Sequence, residues 1–429
     1  VIRYEMDGKT LSGQEKPYYL VGINSKMYRP EVTSSFTDDT ATYHLTVAVS
    51  KEKSVSFDVV FRVENNVLSM DIQNVDDSQF TVHTFSFPNQ SLVSMSSAAP
   101  NAKLRESNYT TEQNIDLTAR RDNDNHSYTT LAVLSSDELA ATINCGSIKS
   151  RSEICYQTFI NGDHFTTGLW PNEFQYKGLD NDLIKGGTWA KVAIAGDRNQ
   201  DGKVDYQDGA IALRDDIPTV RVNSSDIFNA YTSIAVNEAS WAQHPFLKTL
   251  DIVKKMSLGM DNFPQNVVYK GYQTQGHDSS HPDFAAINEQ AGGEEDFRTL
   301  IEGAQNYNTT IGVHINETEA YPEAKQFGAL ASANTGWSWF DTAQQMVREN
   351  DILSAYADQI PGGNMEARLD ALQDVTQTET NGLGLIYVDT YFDTRWPAYR
   401  LSEKINENGW ALATEYVDEF TKNSVWAHH

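Results

Sequence analysis

The sequence predicts a two-part chain, an antiparallel β-sandwich followed by βα units that build a parallel barrel or sheet. Three observations carry that reading. Over roughly the first 195 positions apolar residues recur with period two, broken by Asn, Asp, Gly and Ser, the pattern of strands with one buried and one wet face. From about residue 225 short apolar runs alternate with stretches of helical period, which calls for parallel strands joined by helices. Acidic residues stand directly after two of those later runs, at the strand ends where a barrel gathers its chemistry.

Composition bounds the function classes. A chain of 429 residues with 39% hydrophobic and 11% aromatic content can bury two or three cores and is not a disordered one. No apolar run approaches the ~20 residues of a membrane span. With 33 basic and 59 acidic residues the net charge is −26, which argues against nucleic acid or an anionic membrane surface as a partner. An acidic, aromatic-rich, cysteine-poor chain is a common profile of secreted bacterial carbohydrate-active proteins. The two cysteines, Cys145 and Cys155, can close a hairpin as a disulfide or stay as buried thiols. The chain starts at Val1 with neither Met nor signal peptide, which reads as a segment of a longer protein.

The sandwich is expected over residues 1–195. Phe57, Val59, Phe61 and Val63 alternate with polar residues, Asn65-Asn66 makes a turn, and Leu68, Met70 and Ile72 alternate again. Val82 to Phe87 and Leu131 to Leu134 continue the pattern. A linker over 196–225 follows, opening on Asp197-Arg-Asn199-Gln-Asp201-Gly202-Lys203-Val-Asp205-Tyr-Gln-Asp208. Asp197, Asn199, Asp201, Asp205 and Asp208 stand at positions 1, 3, 5, 9 and 12 of a calcium loop, with Gly202 at 6 and Lys203 offering its carbonyl at 7. The alternative is an acidic turn ahead of a helix at Gly209 to Arg214. The expected ligand is a structural Ca²⁺.

The barrel is expected over 226–429, with strands at Tyr231 to Val236, Val267 to Tyr272, Thr310 to Ile315, Leu385 to Val388 and Trp410 to Thr414, and a sixth at Val425. Phe297, Leu300, Ile301 and Ala304 form one helix face, as do Met365, Leu369 and Leu372. A helix over Ala398 to Glu407 packs by Tyr399, Leu401 and Ile405 and stops at Gly409. Eight strands are not reached, so a remaining C-terminal part of the protein is needed to complete the barrel.

Strand ends supply the candidate chemistry. Asp389 follows Leu385 to Val388 and Glu415 follows Trp410 to Thr414. Two carboxyls on neighbouring barrel strands can approach to roughly 5–5.5 Å, the separation of a retaining glycosidase; equally, they can only cap the helices that follow. His277 and Asp278 sit at the exit of the second strand and suit hydrogen bonding to sugar hydroxyls, whereas His277 and His281 as a metal pair are disfavoured by Pro282. His314 and Asn316 share one face of the third strand and point into the barrel mouth; Glu317 and Glu319 are alternative acids, with Glu317 alternating away from the lumen. Trp337 and Trp339, in Gly336-Trp337-Ser-Trp339, can stack on sugar rings or anchor a loop in a core.

Taken together, these motifs resemble the endo-α-N-acetylgalactosaminidases of glycoside hydrolase family 101, over roughly residues 40–429. The resemblance implies an N-terminal galactose-mutarotase-like β-sandwich, matched best at Phe85 to Leu92, and a catalytic (β/α)8 barrel of which about the first six strands are present. It implies Asp389 of the Ile-Tyr-Val-Asp strand end as nucleophile and Glu415, closing the Gly409-Trp410 strand, as acid/base, although the stretch between them is shorter here. Asp278 of the Gly-His-Asp motif and His314 of Gly312-Val-His-Ile-Asn316 become substrate contacts, Trp337 and Trp339 a flap over the site, and the calcium loop a structural pin between sandwich and barrel. The implied activity is release of Gal-β1,3-GalNAc from Ser or Thr of mucin-type O-glycoproteins by double displacement without a catalytic metal, in an extracellular, secreted or cell-wall-attached protein. A retaining α-galactosidase-like barrel on another glycan, or a carbohydrate-binding segment without turnover, are the competing readings.

Overall fold

The computed structural model describes residues 20–429 apart from 89, 108–111, 120–126, 147–152, 162–163, 179–180, 182, 185–186, 218–231, 238–243, 275, 277–279, 318, 322, 330–352, 355–363, 392–395, 417–419, 421–422 and 428–429. The chain divides into two compact units, Val1–Thr219 and Val220–His429, a boundary that falls inside the 196–225 stretch. No helix among the described residues is long and apolar enough to cross a membrane.

Among the described residues of the first unit all the strands pair antiparallel, in one nine-stranded and two four-stranded sheets. Ser54–Glu64 lies between Thr40–Ala48 and Val67–Asp76, and its Val55, Phe57, Val59 and Phe61 all point into one core. The Phe57 and Phe85 rings meet there at 4.8 Å. Full burial of each such side chain contributes about 1.5–3 kcal/mol. Val63 continues the alternation in sequence but is 56% exposed, because it pairs with Leu68 next to the hairpin tip, past the core. Asn65 and Asn66 adopt φ +49° and +64°, the left-handed pair that a two-residue hairpin turn demands. Cys145 and Cys155 are both buried free thiols.

Helix α1 (Tyr206–Asp216) belongs to this unit and packs on Leu131–Ser135, Ala140–Cys145 and Trp189–Ala195. It starts three residues earlier than expected because Asp205 and Asp208 close a reciprocal capping box. Gly209 is where the helix touches the sheet: a Cβ there would stand 2.3 Å from Val133 Cγ1.

The second unit is built on six parallel strands in sequential order: β1 (Thr232–Asn237), β2 (Gln265–Lys270), β3 (Thr309–Asn316), β4 (Leu385–Asp389), β5 (Ala411–Thr414) and β6 (Ser424–Ala427). Neighbours in sequence being neighbours in space is the winding of a barrel wall, not of a doubly wound sheet. The expected sixth strand is present. Strand β2 ends before Tyr272 because Gly271 turns the chain at φ +81°.

Alternate residues of these strands go to two different cores. Tyr269, Ile311, Val313, Ile315, Ile386, Val388 and Leu412 pack against helices α2 (Phe246–Gly259), α3 (Gly293–Gln305), α4 (Met365–Thr376) and α5 (Trp396–Glu407). Val268, Leu385, Tyr387, Ala411 and Ala413 cluster on the opposite, inner face. Helices α3 and α4 bury the faces read from sequence. In α5 the residues that join the apolar core are Ala398, Leu401 and Ile405, spaced i, i+3, i+7, and Tyr399 sits at their flank, half-buried.

Candidate active site

The inner face of β3, β4 and β5 sets the site. Parallel register pairs Gly312 with Leu385 and Leu385 in turn with Ala411, His314 with Tyr387 and Tyr387 with Ala413, and Asn316 with Asp389. Because side chains alternate, Gly312, His314 and Asn316 share a face with Leu385, Tyr387 and Asp389. Gly312 has to be glycine, since a Cβ would lie 2.6 Å from Leu385 O and 2.7 Å from Leu385 Cβ.

Asp389 is the last residue of β4 and its side chain is 19% exposed. His314, fully buried, places Nε2 2.9 Å from Asp389 Oδ2. Glu415 is the first residue beyond β5, and its N–H continues the ladder to Val388 O at 3.0 Å. Its carboxylate accepts from the Thr390 N–H at 3.1 Å, so Glu415 is tied to the end of the strand that carries Asp389. Thr390 reaches it from φ +45°, a left-handed conformation costing a β-branched residue roughly 1–3 kcal/mol and found mostly at functional sites. Its Oγ1 accepts from Asn316 Nδ2 at 3.3 Å, and Asn316 also donates to Glu319 at 3.1 Å.

Beneath the acids, Tyr387 fills the inner face. Ionisation of its hydroxyl is opposed by burial first, then by the charges of Asp389 and Glu415 and by the bond it would give up to Asp389. The ring stacks on His314 (centroids 6.0 Å apart, 21° between planes) and meets Trp426 at 5.5 Å. The Lys270 ammonium stands 5.4 Å from its centroid. Neither Tyr387 nor Lys270 is among the residues singled out by sequence, yet Tyr387 is two positions before Asp389 and alternation alone puts it on the same face.

Asp389, Glu415, His314 and Asn316 therefore lie at the ends of three neighbouring strands. Glu319 joins through Asn316 and the Tyr321 hydroxyl. Glu317 does not: it is fully buried, facing Tyr272, whose hydroxyl is pushed well above its ordinary pKa by burial and then by Glu317. His281 is fully buried, with Nδ1 3.1 Å from Gln273 Nε2, and acts as packing behind His314. His277, Asp278, Trp337 and Trp339 lie outside the described residues.

The expected metal loop lies in the first unit. Gly202 turns it at φ +83°, and Asp197 accepts from the N–H groups of Asp201 (3.2 Å) and Gly202 (2.9 Å). Asn199 Oδ1 accepts from Asp201 N, and Asp201 Oδ1 from Lys203 N. Asp208 accepts from Arg198 N, Asn199 N and Asp205 N. The loop thus carries side-chain oxygens of the kind calcium takes, here bonded to backbone N–H groups. Among the described residues, however, no three His, Cys, Asp or Glu side chains converge to hold a metal.

Comparison with known proteins agrees with this architecture. The endo-alpha-N-acetylgalactosaminidase family matches residues 207–429, and a galactose mutarotase-like fold domain matches residues 1–206. A Renibacterium salmoninarum protein described as "Putative endo-alpha-N-acetylgalactosaminidase" is 32% identical over 458 residues, covering 98% of this chain and 29% of that protein. The chain thus spans less than a third of that relative's length. Among solved structures, an alpha-N-acetylgalactosaminidase of Bifidobacterium bifidum in complex with GalNAc superposes with TM-score 0.50 at 10% identity, covering 99% of this chain and 77% of that one. A family 36 alpha-galactosidase of Geobacillus stearothermophilus gives 0.56 at 8% identity, covering 97% and 64%. At such identities the likeness concerns fold alone.

Proposed function

Because the chain belongs to the endo-alpha-N-acetylgalactosaminidase family, glycoside hydrolase family 101, we propose that it carries the core of a retaining endoglycosidase that releases Gal-β1,3-GalNAc from Ser or Thr of mucin-type O-glycoproteins. The observation that carries this reading is the pairing of Asp389 and Glu415 on adjacent strand tips, each held by a donor, His314 Nε2 and Thr390 N–H.

Asp389, as a carboxylate, attacks the anomeric carbon. The bond from that carbon to the Ser or Thr oxygen breaks, and Glu415 delivers a proton to the leaving oxygen. Water then attacks the same carbon, Glu415 takes its proton, and the electron pair of the ester bond returns to Asp389. Two inversions leave the configuration unchanged. His314 and Asn316, with His277 and Asp278, orient the sugar hydroxyls, and Trp337 and Trp339 stack on the rings. An extracellular setting follows from such a substrate.

The test is Asp389→Ala beside Glu415→Gln in the intact protein, on an aryl glycoside of the core-1 disaccharide. Both should lose activity, and azide should rescue Asp389→Ala with a product of inverted configuration. Activity surviving in Asp389→Ala rules out its role as nucleophile.

Calcium at Asp197, Asn199, Asp201, Lys203 O, Asp205 and Asp208 would brace α1 against the sandwich in a structural role. Titration with CaCl2 should raise the melting temperature of the parent and not of Asp197→Ala; an equal rise in both removes the site.

A further inference from the structure

The strongest unused group in the molecule is Tyr387. It lies two positions before Asp389 on the same inner face, 4% exposed, and its ring stacks on the His314 whose Nε2 stands 2.9 Å from the Asp389 carboxylate. Three neighbours fix its ring: His314 stacked on it, Trp426 tilted against it, and the Lys270 ammonium held by its π system. In the adjacent strand its register partner is Ala413, a small residue that leaves the ring its space. Such packing leaves the phenol few rotamers, so its hydroxyl is aimed, not searching.

We infer that Tyr387 is a positioning residue for Asp389, its hydroxyl and His314 Nε2 forming a two-donor cradle that acts chiefly when the carboxylate is regenerated. This rests on the proposed double displacement. In the resting enzyme the cradle fixes the rotamer of Asp389. When Asp389 becomes a glycosyl ester, the oxygens lose most of their charge and both hydrogen bonds weaken, because bonds to ionised acceptors are the strong ones. As water attacks and the carbon–oxygen bond breaks, negative charge returns to Asp389 and both bonds strengthen. An interaction stronger in that transition state than in the ester accelerates the step. The same bonds steady the carboxylate before its first attack, so they favour deglycosylation over glycosylation. Lys270, with its ammonium 5.4 Å from the ring centroid, helps to keep the phenol in place.

The test is Tyr387→Phe in the intact protein, which keeps the ring and removes only the hydroxyl. With a core-1 glycoside bearing a good aryl leaving group, deglycosylation limits turnover. The expected result is a kcat lower by roughly 10- to 100-fold, the worth of one hydrogen bond to a charged group. KM should fall with it, kcat/KM should change by only a few fold, and a burst of aryl alcohol should precede the steady state. Trapping with a 5-fluoro glycosyl fluoride gives a second readout, a reactivation half-life lengthened by a similar factor. A merely structural role would lower kcat/KM along with kcat, show no burst and leave the half-life unchanged, and that outcome overturns the inference. Should the parent itself turn over no core-1 substrate, it is the proposed function that fails instead.

Discussion

Gly312→Ala probes how tightly the active-site wall is drawn together. The new Cβ would stand 2.6 Å from the carbonyl oxygen and 2.7 Å from the Cβ of Leu385, both fixed by the parallel ladder. Ordinary contacts between such atoms lie at about 3.5–4.0 Å, so β3 and β4 must part by about 1 Å. Overpacking of this kind costs about 1–3 kcal/mol. In a unit of this size that lowers the melting temperature by about 2–12 °C. Activity should suffer more than stability, since His314 and Asp389 ride on the two strands being pushed apart and their hydrogen bond is 2.9 Å long. A displacement of about 1 Å can cost roughly 100-fold in rate. Differential scanning fluorimetry and kcat/KM on the aryl core-1 glycoside measure the two effects. Gly259→Ala is the control, with nothing within 4 Å of its would-be Cβ, and should be neutral or slightly stabilising. The reasoning is refuted if Gly312→Ala melts within about 1 °C of the parent and keeps kcat/KM within about twofold.

His314→Ala removes the other donor to Asp389 and should lower kcat by roughly 10- to 100-fold in the same assay while kcat/KM changes by only a few fold; a loss in kcat of less than about threefold excludes a positioning role. Asp208→Ala strands three backbone N–H groups and opens the capping box of α1, for an expected cost of about 1–3 kcal/mol, read as a thermal shift and absent if the cap contributes nothing. Cys155 is buried and its thiol is pushed up to about 12, first by burial and then by Cys145. Iodoacetamide at pH 8 should therefore leave it unmodified in the native protein and label it after denaturation, as peptide mass spectrometry will register; rapid native labelling would contradict that burial.

Much of this was legible because local chemistry and tertiary demand agree. Phe57, Val59 and Phe61 alternate in sequence and all face one core, and Phe297, Leu300, Ile301 and Ala304 cover the barrel strands from one helix face. Asp389 and Glu415 could be paired because each follows an apolar run that becomes a neighbouring parallel strand. Tyr387 was not legible by the same rule, since an aromatic inside an apolar run reads as core until its face is known. Lys270 is a single charge at the end of such a run, and only the inner packing gives it a neighbour. Ala398 displaced Tyr399 from the α5 core because a shift of one residue turns a helix by about 100°. Asp208 illustrates the converse: its spacing speaks of a metal, while its oxygens are engaged in starting a helix.

The hydrogen-bonded register joining β3, β4 and β5 separates two kinds of distance. Along the chain, Thr390 and the Glu415 carboxylate that it donates to are 25 positions apart, and that crossover can lengthen or shrink with the helix that fills it. Across the wall, their offset is set by backbone pairing at Val388 and Thr414, which admits no fractional change. Residues gained or lost in the crossover should therefore be tolerated by the chemistry, whereas one added between Leu385 and Asp389 would swing the acid to the helix side. A crossover of another length should leave the offset between Asp389 and Glu415 as it is.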